Sequence, residues 1–278
     1  MSLDRNRAAA VAQETLRIMQ EGGYTAPSGA YVELREELEW AVRGTVSYPA
    51  GTTPPPPLSG VYDTSISVTN ETTLAAAQRL AAGGGIPAAL NFASARNPGG
   101  GFLGGARAQE ESLARSSGLY ACLLGNPMYE LHNRVRNPLY TDSAIYSPGV
   151  PVFRNDDGAL LEQPYRCAFI TCPAVNAGIA LERDRRSGPA IRAAMQARTG
   201  KVLRIAAAQG HDNLVLGAWG CGVFRNDPEL IAELFHTALD GPFRGVFATV
   251  VFAVLDWSRD LRIIRPFQQR FGAGSGTA

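Results

Sequence analysis

The spacing of apolar and polar residues along the chain predicts alternating helices and strands. Residues 5–20 have apolar side chains at helical spacing and end before two glycines, and residues 33–43 have the pattern of a second, shorter helix. From residue 60 onward the pattern predicts strands over 65–70, 87–94, 144–153, 167–175, 213–219 and 247–256, and helices over 72–83, 109–124, 188–210 and 228–239. The strand over 247–256 is almost wholly apolar, which is typical of a strand that helices cover on both faces. This alternation predicts an α/β protein built as a three-layer α/β/α sandwich with extra helices at the N-terminus.

The length of 278 residues allows one large domain or two small ones. The proline run TTPPPPLSG, over 52–60, can be neither a helix nor a central strand, so it fits a domain linker or a stiff connection on the surface. The residues before it are too few to form a core of their own. We therefore expect one domain over 1–278, in which 1–59 form a helical extension packed on the rest and 272–278 form a disordered tail.

Composition and charge limit the binding partners and the cellular compartment that we expect for the protein. The net charge is +1, so there is no overall basic field to drive sequence-independent binding to DNA or RNA. We expect no sequence-specific nucleic acid partner either. Lys201 is the one lysine among 26 cationic residues, which compositional bias explains better than phosphate recognition does. Cys122, Cys167, Cys172 and Cys221 form no C-x-x-C pair, which favours reduced thiols inside a cell. The sequence has neither the pattern of a signal peptide nor an apolar run of about 20 residues, so we expect a cytoplasmic protein with no membrane partner.

A glycine-rich loop, GAWGCGVFRNDP over 217–228, lies between a predicted strand and a predicted helix. Gly220 and Gly222 let the backbone come close to a ligand, and Asp227 with the following proline is typical of a helix start. Free backbone N–H groups at such a junction bind anions, commonly a phosphate or diphosphate. The loop matches neither the P-loop nor the dinucleotide fingerprint, and a plain tight turn explains its glycines equally well. Phe224, in the same loop, fits either a ribose cover or the core.

Another glycine-rich loop is more specific; it lies earlier in the chain, so we call it the first loop and the one over 217–228 the second loop. It contains NPGGG over 97–101 and is followed by QEE over 109–111, at the start of a predicted helix. Three glycines let the backbone approach a bulky ligand without a clash from Cβ. Two acidic residues in a first helical turn are explained by the helix dipole when they stand alone. Next to the glycine run and the other loop, they favour a catalytic role.

These segments resemble the poly(ADP-ribose) glycohydrolases, in their compact bacterial and fungal-type branch. The triple glycine with Gln-Glu-Glu after seven further residues is similar to the family's signature, and its surroundings NFASARNPGGGFLGGARAQEESLARSSGLY match that branch. AWGCGVFRNDP and VTNETTL also match it, so the resemblance covers roughly residues 60–257. It implies a macrodomain, with a mixed sheet between helices and ADP-ribose in a cleft. The implied activity is hydrolysis of ribose–ribose O-glycosidic bonds in poly(ADP-ribose), mainly from chain ends, with release of ADP-ribose.

The resemblance also implies roles for individual residues. Glu111 would be the catalytic acid and base, and Glu110 would fix a ribose hydroxyl beside the scissile bond. The implied ligand-binding residues are Asn97, Gly99, Gly100, Gly101, Gln109, Gly220, Cys221, Gly222, Val223 and Phe224. Glu71 is a candidate for the adenine pocket. The implied partners are poly(ADP-ribose), ADP-ribose and ADP-ribosylated proteins.

No cofactor or metal is implied. The three histidines, His132, His211 and His236, are scattered along the chain and are better explained as ordinary residues than as metal ligands.

The expected chemistry needs a carboxylic acid to protonate the leaving oxygen and a carboxylate to activate water, and one glutamate can do both in turn. Glu110 and Glu111 are neighbours, so they cannot flank a bond from opposite sides as paired glycosidase carboxylates do. A helix N-terminus lowers a carboxyl pKa, whereas a general acid needs a raised one. We therefore expect the charge of Glu110, the diphosphate and desolvation to raise the pKa of Glu111.

Three other functions stay open at this stage. A non-catalytic ADP-ribose-binding macrodomain would use both loops equally well, but it has no need of an acid at position 111. A mono-ADP-ribosyl-protein hydrolase would differ in its substrate alone. A general nucleotide-binding enzyme is disfavoured, because no lysine lies near either loop.

Overall fold

The structure is a computed structural model that describes residues 3–57 and 60–272, and these contain nine strands and ten α-helices. The strands are β1 (Gly23–Thr25), β2 (Tyr31–Glu33), β3 (Val46–Tyr48), β4 (Ser65–Thr69), β5 (Ala88–Phe92), β6 (Ala144–Arg154), β7 (Leu160–Cys172), β8 (Asn213–Leu216) and β9 (Thr249–Ala253). The helices are α1 (Arg5–Glu21), α2 (Arg35–Arg43), α3 (Thr73–Ala82), α4 (Gln109–Ser116), α5 (Leu119–Leu123), α6 (Pro127–Arg134), α7 (Ala177–Arg183), α8 (Gly188–Ala208), α9 (Pro228–Asp240) and α10 (Arg265–Phe271). A short 3₁₀ turn covers Phe102–Gly104.

Seven strands form one mixed sheet in the order β3-β6-β7-β5-β8-β9-β4. The five strands from β7 to β4 run parallel, β6 pairs with β7 antiparallel, and β3 pairs with β6 antiparallel. Because β5, β8 and β9 are parallel, their carboxyl ends lie at one edge of the sheet, where α/β proteins bind ligands. The loops that follow β5 and β8 are the two glycine-rich loops.

Helices cover both faces of this sheet, as the alternation along β5 shows. Ala88 and Leu90 pack into the larger core, which includes Ile205 of α8 and Phe235 of α9. Ala89 points to the opposite face, into a core built with α3, α4 and α5. Successive residues of a strand face opposite sides, so the two cores lie on the two faces of the sheet. The predicted three-layer α/β/α sandwich is confirmed.

The N-terminal extension is joined to the sheet. Asp4 caps the N-terminus of α1 through its carboxylate, which accepts a hydrogen bond from the Arg7 N–H, and Gly22, with φ of 83°, caps the C-terminus. Tyr24 and neighbouring apolar residues of the extension pack against Phe153 of β6 in a small core of their own. Strand β3 pairs with β6 and so becomes an edge strand of the central sheet. The extension is thus integrated with the body, although the sequence showed none of its three strands.

Both ends of the proline run are held on the body. The ammonium of Lys201, which is buried in α8, donates to the carbonyl of Pro49 at 2.8 Å. At the other end, the N–H of Val61 donates to the carbonyl of Gly245 at 2.8 Å. These anchors favour a connection on the surface over a linker between domains. Of the tail expected over 272–278, only Gly272 lies within the described residues.

The helix predicted over 109–124 is wrong as one element, because α4 and α5 are separated at Ser117 and Gly118. The Ser117 hydroxyl donates to the carbonyl of Leu113 at 2.7 Å, and the N–H of Gly118 donates to the carbonyl of Pro151 at 3.0 Å. A Cβ on Gly118 would lie 2.3 Å from a methyl carbon of Leu38. The chain therefore leaves helical geometry to pair with β6, and glycine permits the close approach of α2.

Other differences concern ends and short elements. β7 begins at Leu160, seven residues before the predicted start, because its first half is a partly exposed hairpin arm without a continuous apolar run. The elements that the sequence pattern missed are β1, β2, β3, α6, α7 and α10. All of them are at most eight residues long, which is too short for a clear period.

Candidate active site

A cavity of about 560 Å³ opens at the carboxyl ends of β5, β8 and β9. The second loop reaches it through Cys221 and Gly222, and Gln109 and Ser112 of α4 line the facing side, whereas Glu110, Glu111 and the glycines at 99–101 are not part of its wall. The remaining wall is formed by Glu71, Thr72, Thr73, Leu74, Phe92, Arg107, Ala108, Leu113, Asp156, Ala218, Ala253, Val254, Leu255, Arg262 and Ile263. The second loop and the first turn of α4, which the sequence separates by more than a hundred residues, therefore border one space.

Glu110 is buried beneath the first loop, with 3% of its surface exposed. One carboxyl oxygen, Oε2, accepts from the N–H of Ser94 at 2.6 Å, and the other, Oε1, faces the amide nitrogen of Asn91 at 3.4 Å. Burial raises the pKa of Glu110 to about 8; the hydrogen bond from Ser94 opposes this shift, and the charge of Glu111 adds to it. Glu110 is therefore mostly protonated at neutral pH. This is contrary to the expectation that its negative charge acts on Glu111.

Glu111 is the more accessible of the two carboxyls and lies against the glycine run. Its Oε1 accepts from the N–H of Gly101 at 2.9 Å. A Cβ on Gly100 would lie 2.3 Å from this Oε1 and 3.0 Å from Oε2 of Glu110, and Gly100 has φ of 60°. Glycine is required at this position both for the backbone conformation and for the space that the two carboxyls occupy.

Gln109 ties the start of α4 to the end of β5. Its side-chain oxygen accepts from the N–H of Phe92 at 2.9 Å, and its amide nitrogen donates to the carbonyl of Leu90 at 2.8 Å and the hydroxyl of Thr73 at 3.1 Å. These hydrogen bonds thus fix the position of the first turn of α4, which carries the two glutamates. Its predicted direct contact with ligand stays a prediction.

The second loop has free backbone donors. Within residues 3–57 and 60–272, the N–H groups of Gly222, Val223 and Phe224 form no hydrogen bond, whereas that of Cys221 donates to the carbonyl of Ala218 at 3.1 Å. Three successive unpaired amides beside a cavity are the arrangement that binds phosphate oxygens. The geometry is compatible with the anion site expected from the sequence.

A buried asparagine holds this loop in shape. Gly220 has φ of 75°, and a Cβ there would lie 2.5 Å from Nδ2 of Asn226 and 2.6 Å from Cβ of Ala174. Nδ2 of Asn226 donates to the carbonyls of Val175 at 2.7 Å and Gly220 at 3.2 Å. Asp227 then accepts from the N–H of Glu229 at 3.0 Å, so the predicted start of the following helix is confirmed.

Not every candidate residue reaches the cavity. Asn97 and Val223 are exposed, and neither belongs to the wall. Phe224 is half-buried, with its ring centroid 6.0 Å from that of Tyr140. Glu71 does line the cavity, where it accepts from the hydroxyl of Thr69 at 2.7 Å. The ligand contacts of these four candidates stay predictions.

Sequence reasoning missed the residues that support the site. Asn91 and Ser94 contact Glu110, and Asp156, which accepts from the Thr72 hydroxyl at 2.6 Å, lines the cavity from the β6–β7 hairpin. A polar Asn91 inside an apolar strand was a signal in the sequence, because a buried polar group needs a partner. Nothing local in the sequence brings Asp156 to the cavity.

Two further observations concern the part of the chain that the structure describes. It contains no cluster of three or more metal-ligating side chains. None of its helices combines the length and the apolar character needed to cross a membrane.

The fold and the site together define a macrodomain-like α/β protein with the acidic residues of a glycosidic-bond hydrolase. A family model described as the microbial-type PARG catalytic domain matches residues 12–155. The chain belongs to this family, that of the microbial-type poly(ADP-ribose) glycohydrolases. The family, fold and class of enzyme expected from the sequence are confirmed.

Solved structures agree with this assignment. The chain is 50% identical to the poly(ADP-ribose) glycohydrolase of Thermomonospora curvata over 96% of this chain and all of the other, with a TM-score of 0.91. The same enzyme bound to the inhibitor ADP-HPD gives a TM-score of 0.87 over the same coverage. The Deinococcus radiodurans enzyme in complex with ADP-ribose is 40% identical over 85% of this chain and 97% of that one, with a TM-score of 0.77. No curated protein sequence matches the chain.

Proposed function

We propose that this protein hydrolyses ribose–ribose bonds of poly(ADP-ribose), with Glu111 as the residue that gives and then takes the proton. The observation that carries the proposal is the pairing of two features at one sheet edge. The accessible carboxyl of Glu111 lies in the first turn of α4, against the first loop, and three unpaired amides, those of Gly222 to Phe224, lie on the second loop. A substrate with a diphosphate near a glycosidic bond would engage both.

The binding mode follows from the cavity. The diphosphate would bind the free amides of the second loop, and the adenosine would extend into the cavity toward Glu71 and Leu255. The distal ribose would then lie next to Asn97 and the glycine run. Support comes from the inhibitor ADP-HPD and the ADP-ribose that the related enzymes bind. ADP-ribosylated proteins are the expected carriers of the polymer.

The reaction needs one carboxyl in two protonation states. Protonated Glu111 gives its proton to the leaving ribose oxygen while the bond to the anomeric carbon breaks with oxocarbenium character. The resulting carboxylate then takes a proton from the water that attacks that carbon, which restores the acid. The N–H of Gly101 keeps the carboxyl oriented through both steps.

Glu110 would act mainly in its protonated, neutral form. Burial raises the pKa of Glu110 to about 8, so this residue adds little negative charge near a substrate whose diphosphate is itself negative. A neutral Glu110 can also donate a hydrogen bond to a ribose hydroxyl, which suits the role expected for it. Reaction mainly from chain ends and a cytoplasmic setting remain part of the proposal.

The test is incubation of the protein with labelled poly(ADP-ribose), followed by sizing of the products. We expect free ADP-ribose as the dominant product from the earliest times, which fits cleavage at chain ends. Early oligomers would contradict the chain-end preference. Binding of ADP-ribose without any release would indicate a reader, and release from a mono-ADP-ribosylated protein alone would indicate the other hydrolase activity.

A further inference from the structure

Exposed arginines border the site on the side away from the cavity at the ends of β5, β8 and β9. We call this cavity the adenosine cavity, after the group that the proposed function assigns to it. Arg96 follows the strand-end of the first loop, Arg136 follows α6, and Arg183 ends α7, and all three side chains are exposed. We call these three residues the arginine rim. Arg225, directly after Phe224 in the second loop, continues it.

Hydrogen bonds between the segments show that the rim is continuous. Nδ2 of Asn133 donates to the carbonyl of Arg96 at 3.1 Å, which joins α6 to the first loop. Nη1 of Arg183 donates to the carbonyl of Arg136 at 3.1 Å, which joins α7 to the end of α6. The N–H of Gly178 donates to the carbonyl of Phe224 at 3.0 Å, which joins α7 to the second loop. The segments that carry these arginines therefore adjoin one another from the first loop to the second.

The backbone under the rim is held firmly. Tyr140, with φ of 52°, packs its ring between those of His132 and Phe224, with centroids 5.5 Å and 6.0 Å away. The guanidinium of Arg198, which is fully buried, donates to the carbonyl of Leu139. Nδ1 of His132 lies 3.1 Å from the carbonyl of Ala95, next to Arg96. The rim thus belongs to a packed cluster rather than to a loose surface loop.

The charges of the rim are not neutralised. Within residues 3–57 and 60–272, none of Arg96, Arg136 and Arg183 is paired with a carboxylate, whereas Arg225 pairs with Glu182 at 2.9 Å. Burial lowers the pKa of His132, and the nearby charges of Arg198 and Arg96 lower it further, so that ring adds no charge of its own at neutral pH. Three guanidinium groups therefore carry their charge at the surface, on a protein whose net charge is only +1.

The order of strands in the sheet indicates which part of a bound polymer would lie near the rim. The adenosine cavity lies over the ends of β5, β8 and β9, whereas α7 follows β7, the neighbour of β5 on the other side, and the 136–140 segment leads into β6. A polymer that extended from the cavity past Glu111 toward β7 and β6 would reach the rim. On the proposed function, the part of the polymer near the rim is the shortened chain, which leaves when ADP-ribose is cleaved from its end.

We propose that Arg96, Arg136 and Arg183 form a subsite for the diphosphate of the polymer unit on the leaving side of the scissile bond. This inference rests on the proposed function. A diphosphate offers oxygens that guanidinium groups bind in pairs, and arginine keeps its charge at every physiological pH. The subsite would hold the polymer in place while leaving the bond chemistry to Glu111.

The experiment compares the triple variant Arg96→Gln/Arg136→Gln/Arg183→Gln with wild type on two substrates. One is poly(ADP-ribose); the other is ADP-ribose with a small uncharged leaving group at the anomeric carbon, which has no diphosphate on the leaving side. For the polymer we expect KM to rise about threefold to tenfold with kcat nearly unchanged. The slope of log KM against log salt should fall, by roughly 0.7 for each phosphate that the variant no longer binds. Hydrolysis of the small substrate and the Kd of ADP-ribose should not change.

A matched control is Arg17→Gln/Arg43→Gln/Arg244→Gln, which removes three exposed arginines outside the segments that form the rim. It should keep the wild-type KM and salt slope for the polymer. The inference is wrong if both triple variants behave alike toward the polymer, or if the rim variant loses activity on the small substrate to the same extent. A wild type that fails on both substrates would instead overturn the proposed function.

Discussion

At the scale of single residues, the site depends on the space above Gly100. Both carboxyl groups of the acidic pair occupy positions that a Cβ at this residue would invade, at 2.3 Å from Glu111 and 3.0 Å from Glu110. The positive φ of Gly100 would strain any other residue. The family signature and the geometry therefore agree on why a glycine stands there, and the space that a side chain would fill is occupied by the two carboxyl groups.

Gly100→Ala tests this point. The added methyl group should displace the carboxyl of Glu111 and lower kcat by about 10²-fold, because a shift of about 1 Å has an effect of that size on catalysis. Gly84→Ala is the control, since Gly84 also has a positive φ, 89°, but nothing lies within 4 Å of its added Cβ. Both variants should lose about 1–2 kcal/mol of stability from backbone strain. Similar steady-state rates for the two would show that the contact with Glu111 does not matter.

The raised pKa of Glu110 leads to a second prediction at the scale of single residues, which concerns the pH dependence of stability. Its folded-state pKa of about 8 lies above that of an unfolded glutamate, so the folded protein holds a proton that the unfolded chain has lost between about pH 4.5 and 8. Stability contributed by this group is therefore full below pH 4.5 and declines as pH rises to 8, by up to about 1.4 kcal/mol per pH unit. In Glu110→Gln this decline should be absent.

The measurement is denaturant unfolding of wild type and Glu110→Gln at several pH values from 5 to 9. We expect the stability of the variant relative to wild type to rise steadily with pH and to level off above about pH 8. A constant difference across this range would mean that Glu110 ionises at the same pH in the folded and unfolded states.

At the scale of elements, helix α1 supports α4 and the segment that precedes it. The hydroxyl of Thr15 donates to the carbonyl of Arg115 in α4 at 2.5 Å, and Nε of Arg5 donates to the carbonyl of Gly104 at 3.1 Å. A Cβ on Gly105 would lie 2.1 Å from the carbonyl oxygen of Arg5, so the two segments are in close contact. The extension thus helps to fix α4, whose first turn carries the acidic pair.

Thr15→Val removes this buried hydrogen bond while preserving the shape of the side chain. We expect a loss of about 1–3 kcal/mol in the free energy of unfolding, because the carbonyl of Arg115 is left without its donor in the interior. If α1 positions α4, kcat on poly(ADP-ribose) should fall while the Kd of ADP-ribose stays the same. Thr52→Val, which removes an exposed bond to Pro49, should change neither quantity. An unaltered kcat in Thr15→Val would limit α1 to a stabilising role.

The same scale explains which elements the sequence could predict. The long helices α1 and α8 and the apolar strand β9 have clear periods, and their positions were predicted within a few residues. The break between α4 and α5 was not, because it follows from pairing of Gly118 with Pro151, a contact over more than thirty residues. β3 is equally invisible in the sequence, since its three residues form a strand only because β6 lies beside them.

At the scale of the whole molecule, the motif residues were predictable and their physical roles were not. Resemblance singled out Glu111, Gly100 and Gln109, but the backbone N–H of Gly101 and the amide of Gln109 hold the protein's own groups in this structure. The free donors lie instead in the second loop, at Gly222 to Phe224. Which amides remain unpaired depends on tertiary contacts such as those of Asn226, and no local pattern encodes them.

The whole account depends on the carboxyl of Glu111, and Glu111→Gln tests it most directly. The substitution keeps the size of the side chain and removes its ability to exchange a proton. Turnover of labelled poly(ADP-ribose) should fall by at least about 10²–10⁴-fold, the range of general acid–base catalysis, while the Kd of ADP-ribose measured by calorimetry stays within a few-fold of wild type. A variant that still releases ADP-ribose at the wild-type rate would contradict the account.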